Sequence, residues 1–214
     1  MIKVIAGCDV GHFDSLFDEI FALRHKVFVE ELGWEEIRRP DGREIDQFDD
    51  DYAVHHVAFR DGRVSGYQRM LSMARPNLLR NVYPELCELE IPSSPDVWEL
   101  TRYAVAPEYR EGKRSVGSVG TELIAGFVEW GLASGVNKVI IEFEPMWVFR
   151  AMGLGFLPRP LGLPAEVGQQ TIVPTEVTFS ERTLLKIRET MGRHDPVVCF
   201  MGTLAEQRRV RLAS

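Results

Sequence analysis

The sequence predicts an α/β protein with a mixed sheet and helices on both of its faces. Three observations carry this. Two β-rich runs, 52–60 and 64–73, are joined by Asp61-Gly62, a strong short hairpin signal. In the middle of the chain a strand at 98–106, a helix at 116–133 and a strand at 136–143 follow one another. Near the start, Phe13, Leu16, Phe17, Ile20, Phe21, Val27, Phe28 and Leu32 recur at helical spacing, and Gly33 follows as a stop.

The remaining elements fall around these. Residues 2–6 read as a first strand, and 13–32 as one helix. Residues 34–51 form a long charged loop, which Trp34, Ile45 and Phe48 mark as an ordered lid and not a linker. The stretch 74–97, with Pro76, Pro84, Pro92 and Pro95, reads as irregular. A helix at 145–152 opens on Pro145, where the missing N–H costs nothing. A strand at 171–179 and a helix at 182–191 close the pattern. No repeat or linker divides the chain, so a single domain over 1–214 is expected.

Composition narrows the function. A chain of 214 residues is long enough for one large core, and a formal net charge of −7 argues against nucleic acid or an anionic membrane as partner. Cys8, Cys87 and Cys199 lack C-x-x-C spacing and suit reduced thiols in the cytoplasm. His55 and His56 are neighbours on a strand, so they face opposite ways and do not make one metal site. No metal is expected. The apolar start, MIKVIAG, is too short for a signal peptide, and no run approaches the roughly 20 apolar residues that cross a bilayer.

Four features resist a purely structural reading. Arg24 falls on the apolar stripe of its helix, four residues from both Ile20 and Phe28. It either snorkels at the edge of that stripe or meets a buried acid or anion. Asp46 and Asp49 lie in an acidic run whose Ile45 and Phe48 draw it inward. Arg69 shares a strand face with Tyr67 and Leu71, next to Gly66, which lets another backbone or a ligand approach closely. Glu99 and Arg102 are three apart on a strand, so they serve one site only if the strand is bulged between them.

In this order, Arg24, Phe28, Trp34, the Glu-x-Asp-x-Phe-Asp segment at 44–49, Arg69 and Glu99-x-x-Arg102 resemble the motif of the acyl-homoserine-lactone synthases, the autoinducer synthases of bacterial quorum sensing. The run Met152-Gly153-Leu154-Gly155-Phe156 is similar to the end of that family's core. The resemblance implies an N-acyltransferase (GNAT-like) fold with a mixed, V-shaped sheet. It also implies two substrates and no further cofactor. The α-amine of S-adenosylmethionine attacks an acyl thioester, and the carboxylate then displaces 5′-methylthioadenosine to close a lactone.

That chemistry gives each residue a role. An α-amine has a pKa of about 8, and a placed carboxylate that takes its proton contributes on the order of 10² to 10⁴ in rate. Glu99 is the first choice for this base and Asp46 the second, with Arg102 completing the catalytic set. Arg24 and Arg69 bind the substrate carboxylate or brace the acids, Asp49 among them. Phe28 and Trp34 give adenosine an apolar wall and the sulfonium a cation–π surface. A backbone N–H near Tyr103 faces the oxyanion.

For the acyl donor, the segments 144–150 and 160–164 are similar to the subgroup that takes acyl groups from coenzyme A; acyl carrier protein is the alternative. Pro145-Met146 stands where those relatives tend to carry Thr-Trp. Met146 and Trp147 either line the acyl pocket or pack in the core. The turn at 110–117 either binds a pyrophosphate or is simply solvated. Two rival functions share parts of this picture: an ordinary acetyl-coenzyme A N-acetyltransferase, and a non-catalytic protein that binds the lactone or the carrier.

Overall fold

The computed structural model describes residues 1–111 and 117–213. The architecture is the expected mixed α/β fold. Its strands are β1 (Ile2–Ala6), β2 (Val54–Arg60), β3 (Arg63–Ser72), β4 (Val97–Val105), β5 (Lys138–Phe143), β6 (Leu157–Pro160), β7 (Ala165–Val167), β8 (Gln170–Thr178) and β9 (Val198–Phe200). The helices are α1 (Asp14–Arg24), α2 (Leu78–Asn81), α3 (Ser118–Ser134), α4 (Pro145–Gly153), α5 (Glu181–Met191) and α6 (Gly202–Ala213).

Contacts gather into two compact units. One comprises Met1–Arg69, Arg102–Gly126 and Val197–Ser214; the other comprises Met70–Thr101 and Phe127–Pro196. Three of the four crossings fall inside β3, β4 and α3. No linker marks them, which is why the sequence reads as undivided.

In the first unit the strand order is β9-β1-β2-β3, with β1 antiparallel to β2 and parallel to β9. The β2–β3 turn has positive φ at both Asp61 (51°) and Gly62 (75°), as a two-residue hairpin with a matching twist requires. Alternation along β3 sends successive residues to opposite faces. Tyr67 packs with Phe17, Ile20, Phe21 and Phe28 from the N-terminal helical segment. Gln68 donates to the Leu123 carbonyl of α3 at 2.8 Å. A Cβ on Gly66 would lie 3.0 Å from the Ala104 carbonyl and from side chains of Val119 and Leu123. The close approach expected at Gly66 is thus by backbone and helix.

The helix expected over 13–32 is present but changes pitch. After Arg24 it widens into a π-helical stretch, His25–Glu31. Phe28 lies on the buried side of this wider turn. The C-terminal helix α6 contains the basic run at 207–211. Asp9 holds its start, accepting from the Thr203 N–H at 2.8 Å and the Thr203 hydroxyl at 2.7 Å.

The second unit has the order β6-β8-β5-β4, with β7 also on β8. β5 runs parallel to β4 and antiparallel to β8. One face carries the Trp98–Trp130 contact and the ring cluster Phe127, Phe156 and Phe179. A separate cluster joins Met73, Leu79, Leu86, Val97, Ile140 and Leu161. The stretch expected to be irregular contains α2, capped by Asn77, whose side chain accepts from the Arg80 N–H at 3.0 Å. Four residues show too little periodicity to reveal a helix. Among the described residues, no helix is long and apolar enough to cross a membrane.

Candidate active site

In the first unit three arginines meet three carboxylates. Arg24 and Arg69 are completely buried, and Arg102 nearly so. Arg24 donates through Nε to Glu44 at 2.6 Å and grips both oxygens of Asp49 at 2.7 and 2.9 Å. Arg69 grips both oxygens of Asp46 at 2.7 and 2.9 Å and pairs with Asp49 at 2.7 Å. Arg102 reaches Glu44 at 3.1 and 3.2 Å and Asp46 at 2.8 Å. Three positive and three negative groups cancel. This is what permits so much charge away from water.

Arg24 therefore does not snorkel. Glu44, to which the motif alone gave no separate role, bridges Arg24 and Arg102 and is fully buried. Its signal was its place in the same inward-drawn segment as Asp46 and Asp49.

The loop's fold delivers these groups. The Glu44 N–H donates to the Phe21 carbonyl at 3.1 Å, and Phe48 is buried. Asp46 turns the chain by accepting from the Phe48 N–H at 2.8 Å. Gly7 receives the loop's far end: a Cβ there would sit 1.9 Å from the Asp50 carbonyl oxygen. The segment is ordered, as expected.

Burial alone would raise the pKa of Asp49, but Arg69 and Arg24 outweigh it and hold the carboxyl far below its ordinary range. Burial works against Asp46 in the same way, and Arg69 and Arg102 overcome it. Beside the cluster, the Tyr67 hydroxyl lies 2.7 Å from His55 Nδ1. Burial pushes the pKa of His55 and His56 down to about 3, so both rings are neutral.

Phe28 and Trp34 stack with centroids 5.1 Å apart. The cation over them is this protein's own: the Arg102 guanidinium carbon lies 5.5 Å from one ring and 5.7 Å from the other. Arg102 has φ +56°, a left-handed conformation that costs a non-glycine residue on the order of 1–3 kcal/mol. This break lies in the same part of β4 where the sequence required a bulge. Tyr103 follows it, half-buried, with burial raising its phenol pKa.

In the second unit Glu99 is fully buried. It accepts from the Leu78 N–H at 2.8 Å and the Leu79 N–H at 2.6 Å, the first N–H groups of α2. Its neighbour across the parallel pairing is Ile140. Two residues on, and so on the same face of β5, stands Glu142, which is hydrogen-bonded to Glu99. Burial and then the charge on Glu99 raise the Glu142 pKa well above the carboxylate range. Glu142 was missed; its signal was an acid following the apolar run 139–141 of β5.

The acyl-pocket candidates separate. Met146 is 62% exposed, which removes the core-packing alternative for it. Trp147 is half-buried under the Arg150 guanidinium, 4.5 Å from the ring centroid. Of the turn at 110–117, residues 112–116 lie outside the described residues.

Comparison with known proteins identifies the family. A family model described as autoinducer synthase matches residues 11–182. An isovaleryl-homoserine lactone synthase of Bradyrhizobium diazoefficiens is 34% identical over 193 residues, 90% of this chain and 86% of that protein. A CoA-dependent acyl-homoserine lactone synthase solved with SAM and isopentyl-CoA superposes with a TM-score of 0.87 at 31% identity, covering 98% of this chain and 99% of that one. At the level of fold alone, an acyl-CoA N-acyltransferase from Pseudomonas aeruginosa matches with a TM-score of 0.55 at 15% identity over 82% of this chain and 98% of the other. The chain belongs to the autoinducer synthase family and is an acyltransferase.

Proposed function

We propose that the protein makes an acyl-homoserine lactone from S-adenosylmethionine and an acyl-coenzyme A, in the cytoplasm, with residues 1–214 acting as one catalytic domain. The observation that carries this reading is the complete set of motif charges in bonded positions, from Arg24 through Asp46, Asp49 and Arg69 to Arg102. The kinship with a CoA-dependent synthase supports coenzyme A over acyl carrier protein as the donor.

In this reading the α-amine nitrogen attacks the thioester carbonyl, Glu99 takes the proton, and the thiolate leaves. The substrate carboxylate then attacks the carbon next to the sulfonium, releasing 5′-methylthioadenosine. A backbone N–H near Tyr103 steadies the oxyanion. Arg24 and Arg69 act by bracing the acids, since each grips a carboxylate with two hydrogen bonds. Phe28 and Trp34 wall the adenosine, while Arg102 covers part of their face. Trp147 lines the acyl pocket and Met146 lies at its outer edge.

The test is incubation with S-adenosylmethionine and a panel of acyl-coenzyme A and acyl-carrier thioesters, read by mass spectrometry. Lactone and methylthioadenosine in equal amounts are expected. Acyl transfer to other amines without methylthioadenosine would reject the reading.

A further inference from the structure

We propose that Glu142 is a positioning residue for this reaction: a neutral carboxylic acid whose O–H donates to Glu99 and keeps Glu99 in the ionised form that takes the amine proton. The inference rests on the acyl-transfer reading above. Glu99 lies in a fully buried place, where a bare carboxylate is strongly disfavoured. Two N–H groups from α2 relieve part of that cost. Glu142 supplies a third donor only while it is protonated.

Its surroundings favour that state. Burial raises the Glu142 pKa, two carboxylates in contact do not both ionise readily, and together these outweigh its own backbone N–H, which favours the charged form. Its Oε1 is shut off from solvent and has no hydrogen-bond partner among the described residues, which suits a neutral acid and leaves one acceptor free. The charges nearby do not oppose this. Cys87, beside Glu142, is itself pushed up to about 11 and stays a neutral thiol. On β8, Glu176 is held by Lys138 at 3.7 Å and by Arg159 of β6 at 3.3 Å. Arg80 of α2 donates to the carbonyls of Ile91 and Pro92.

The proton movement balances. The amine nitrogen forms its bond to the acyl carbon and passes one proton to Glu99. The carbon–sulfur bond breaks, and that proton returns to the departing thiolate. Glu142 keeps its own proton throughout.

Two measurements on the full chain test this. Carbon-13 NMR of labelled glutamate carboxyls, titrated across neutral pH, should show one carboxyl still protonated at pH 7 and missing in Glu142→Gln. All glutamates ionised at pH 7 would overturn the proposal. In the pH dependence of kcat/KM, Glu142→Leu removes the donor and should move the acid limb up by about one unit. Glu142→Gln restores a donor and should bring the limb back. An acid limb unmoved in folded Glu142→Leu would sink the idea. A wild type that forms no lactone at all would reject the reaction itself and the amine step with it, while the NMR still decides whether the proton is shared.

Discussion

The two charged groupings of this protein solve opposite problems. The first unit buries three arginines against three carboxylates, and Asp46 and Asp49 there are driven toward their ionised forms. The second buries Glu99 beside Glu142, and there one acid is driven toward its neutral form. Burial is the largest single influence on Asp46, Asp49 and Glu142 alike, and in each it raises the pKa. What separates them is the sign of the neighbour. Bidentate arginines make a rigid, neutral network suited to holding a loop in shape. A pair of like acids makes a group that can give or accept a proton near neutral pH.

The sharpest way to break the comparison is to remove one arginine. Arg69→Ala leaves Asp46 and Asp49 buried with one fewer partner, and loss of one side of such a pair costs about 3–5 kcal/mol. A urea titration at pH 7 should show that loss, along with loss of lactone synthesis. A variant of wild-type stability would mean that the network is not a structural brace.

Glu99→Gln probes the other grouping. The fold should persist, and turnover should fall at least ~10²-fold. Activity should partly recover as pH rises, because the free amine then needs no base. Wild-type turnover at neutral pH would move the role of base to Asp46.

A smaller, graded effect comes from the two neutral histidines of β2, His55 and His56. Their folded pKa of about 3 lies below the unfolded value of about 6.5, so the unfolded chain binds protons first as pH falls. Stability is fully present above pH 6.5 and is lost on the way down toward 3, by about 1.4 kcal/mol per pH unit for each ring. Asp46 and Asp49 add their own loss only below about pH 4. Glu142, protonated in the fold and ionised in the unfolded chain, gives the opposite slope over this range and offsets about one ring. Urea midpoints between pH 7 and 5 should therefore fall with the slope of one ring, and His56→Gln should flatten it. A midpoint independent of pH over that range would show that the rings are not buried neutral.

The smallest expected change is at Met146. Because it is exposed, Met146→Trp should alter stability by no more than about 0.5 kcal/mol. The acyl-coenzyme A preference should shift if residue 146 edges the pocket. An unchanged acyl profile would leave Met146 as plain surface.

Much of this was legible in the chain. Arg24 stood out because a charge on an apolar helical stripe has few stable outcomes, and Arg69 because it shared a strand face with Tyr67. Asp61-Gly62 announced its hairpin by backbone chemistry alone. The roles of Glu44 and Glu142 were not legible, since each gains its meaning from a partner far along the chain: Glu44 from Arg102, Glu142 from Glu99. The helix α6 and strand β9 were hidden for a related reason. Neither has a local pattern strong enough to specify it. Asp9 holds one, and pairing with β1 holds the other.

The sequence by itself determined the fold class, the order of the central elements and the family, because periodicity, turn chemistry and motif spacing are local or linear properties. Tertiary structure alone decided which charge meets which. Ionisation depends on distance and on water, and neither is written along the chain. The same residue type, a buried carboxylic acid, is driven toward its ionised form at Asp49 by two arginines and toward its neutral form at Glu142 by burial and another acid.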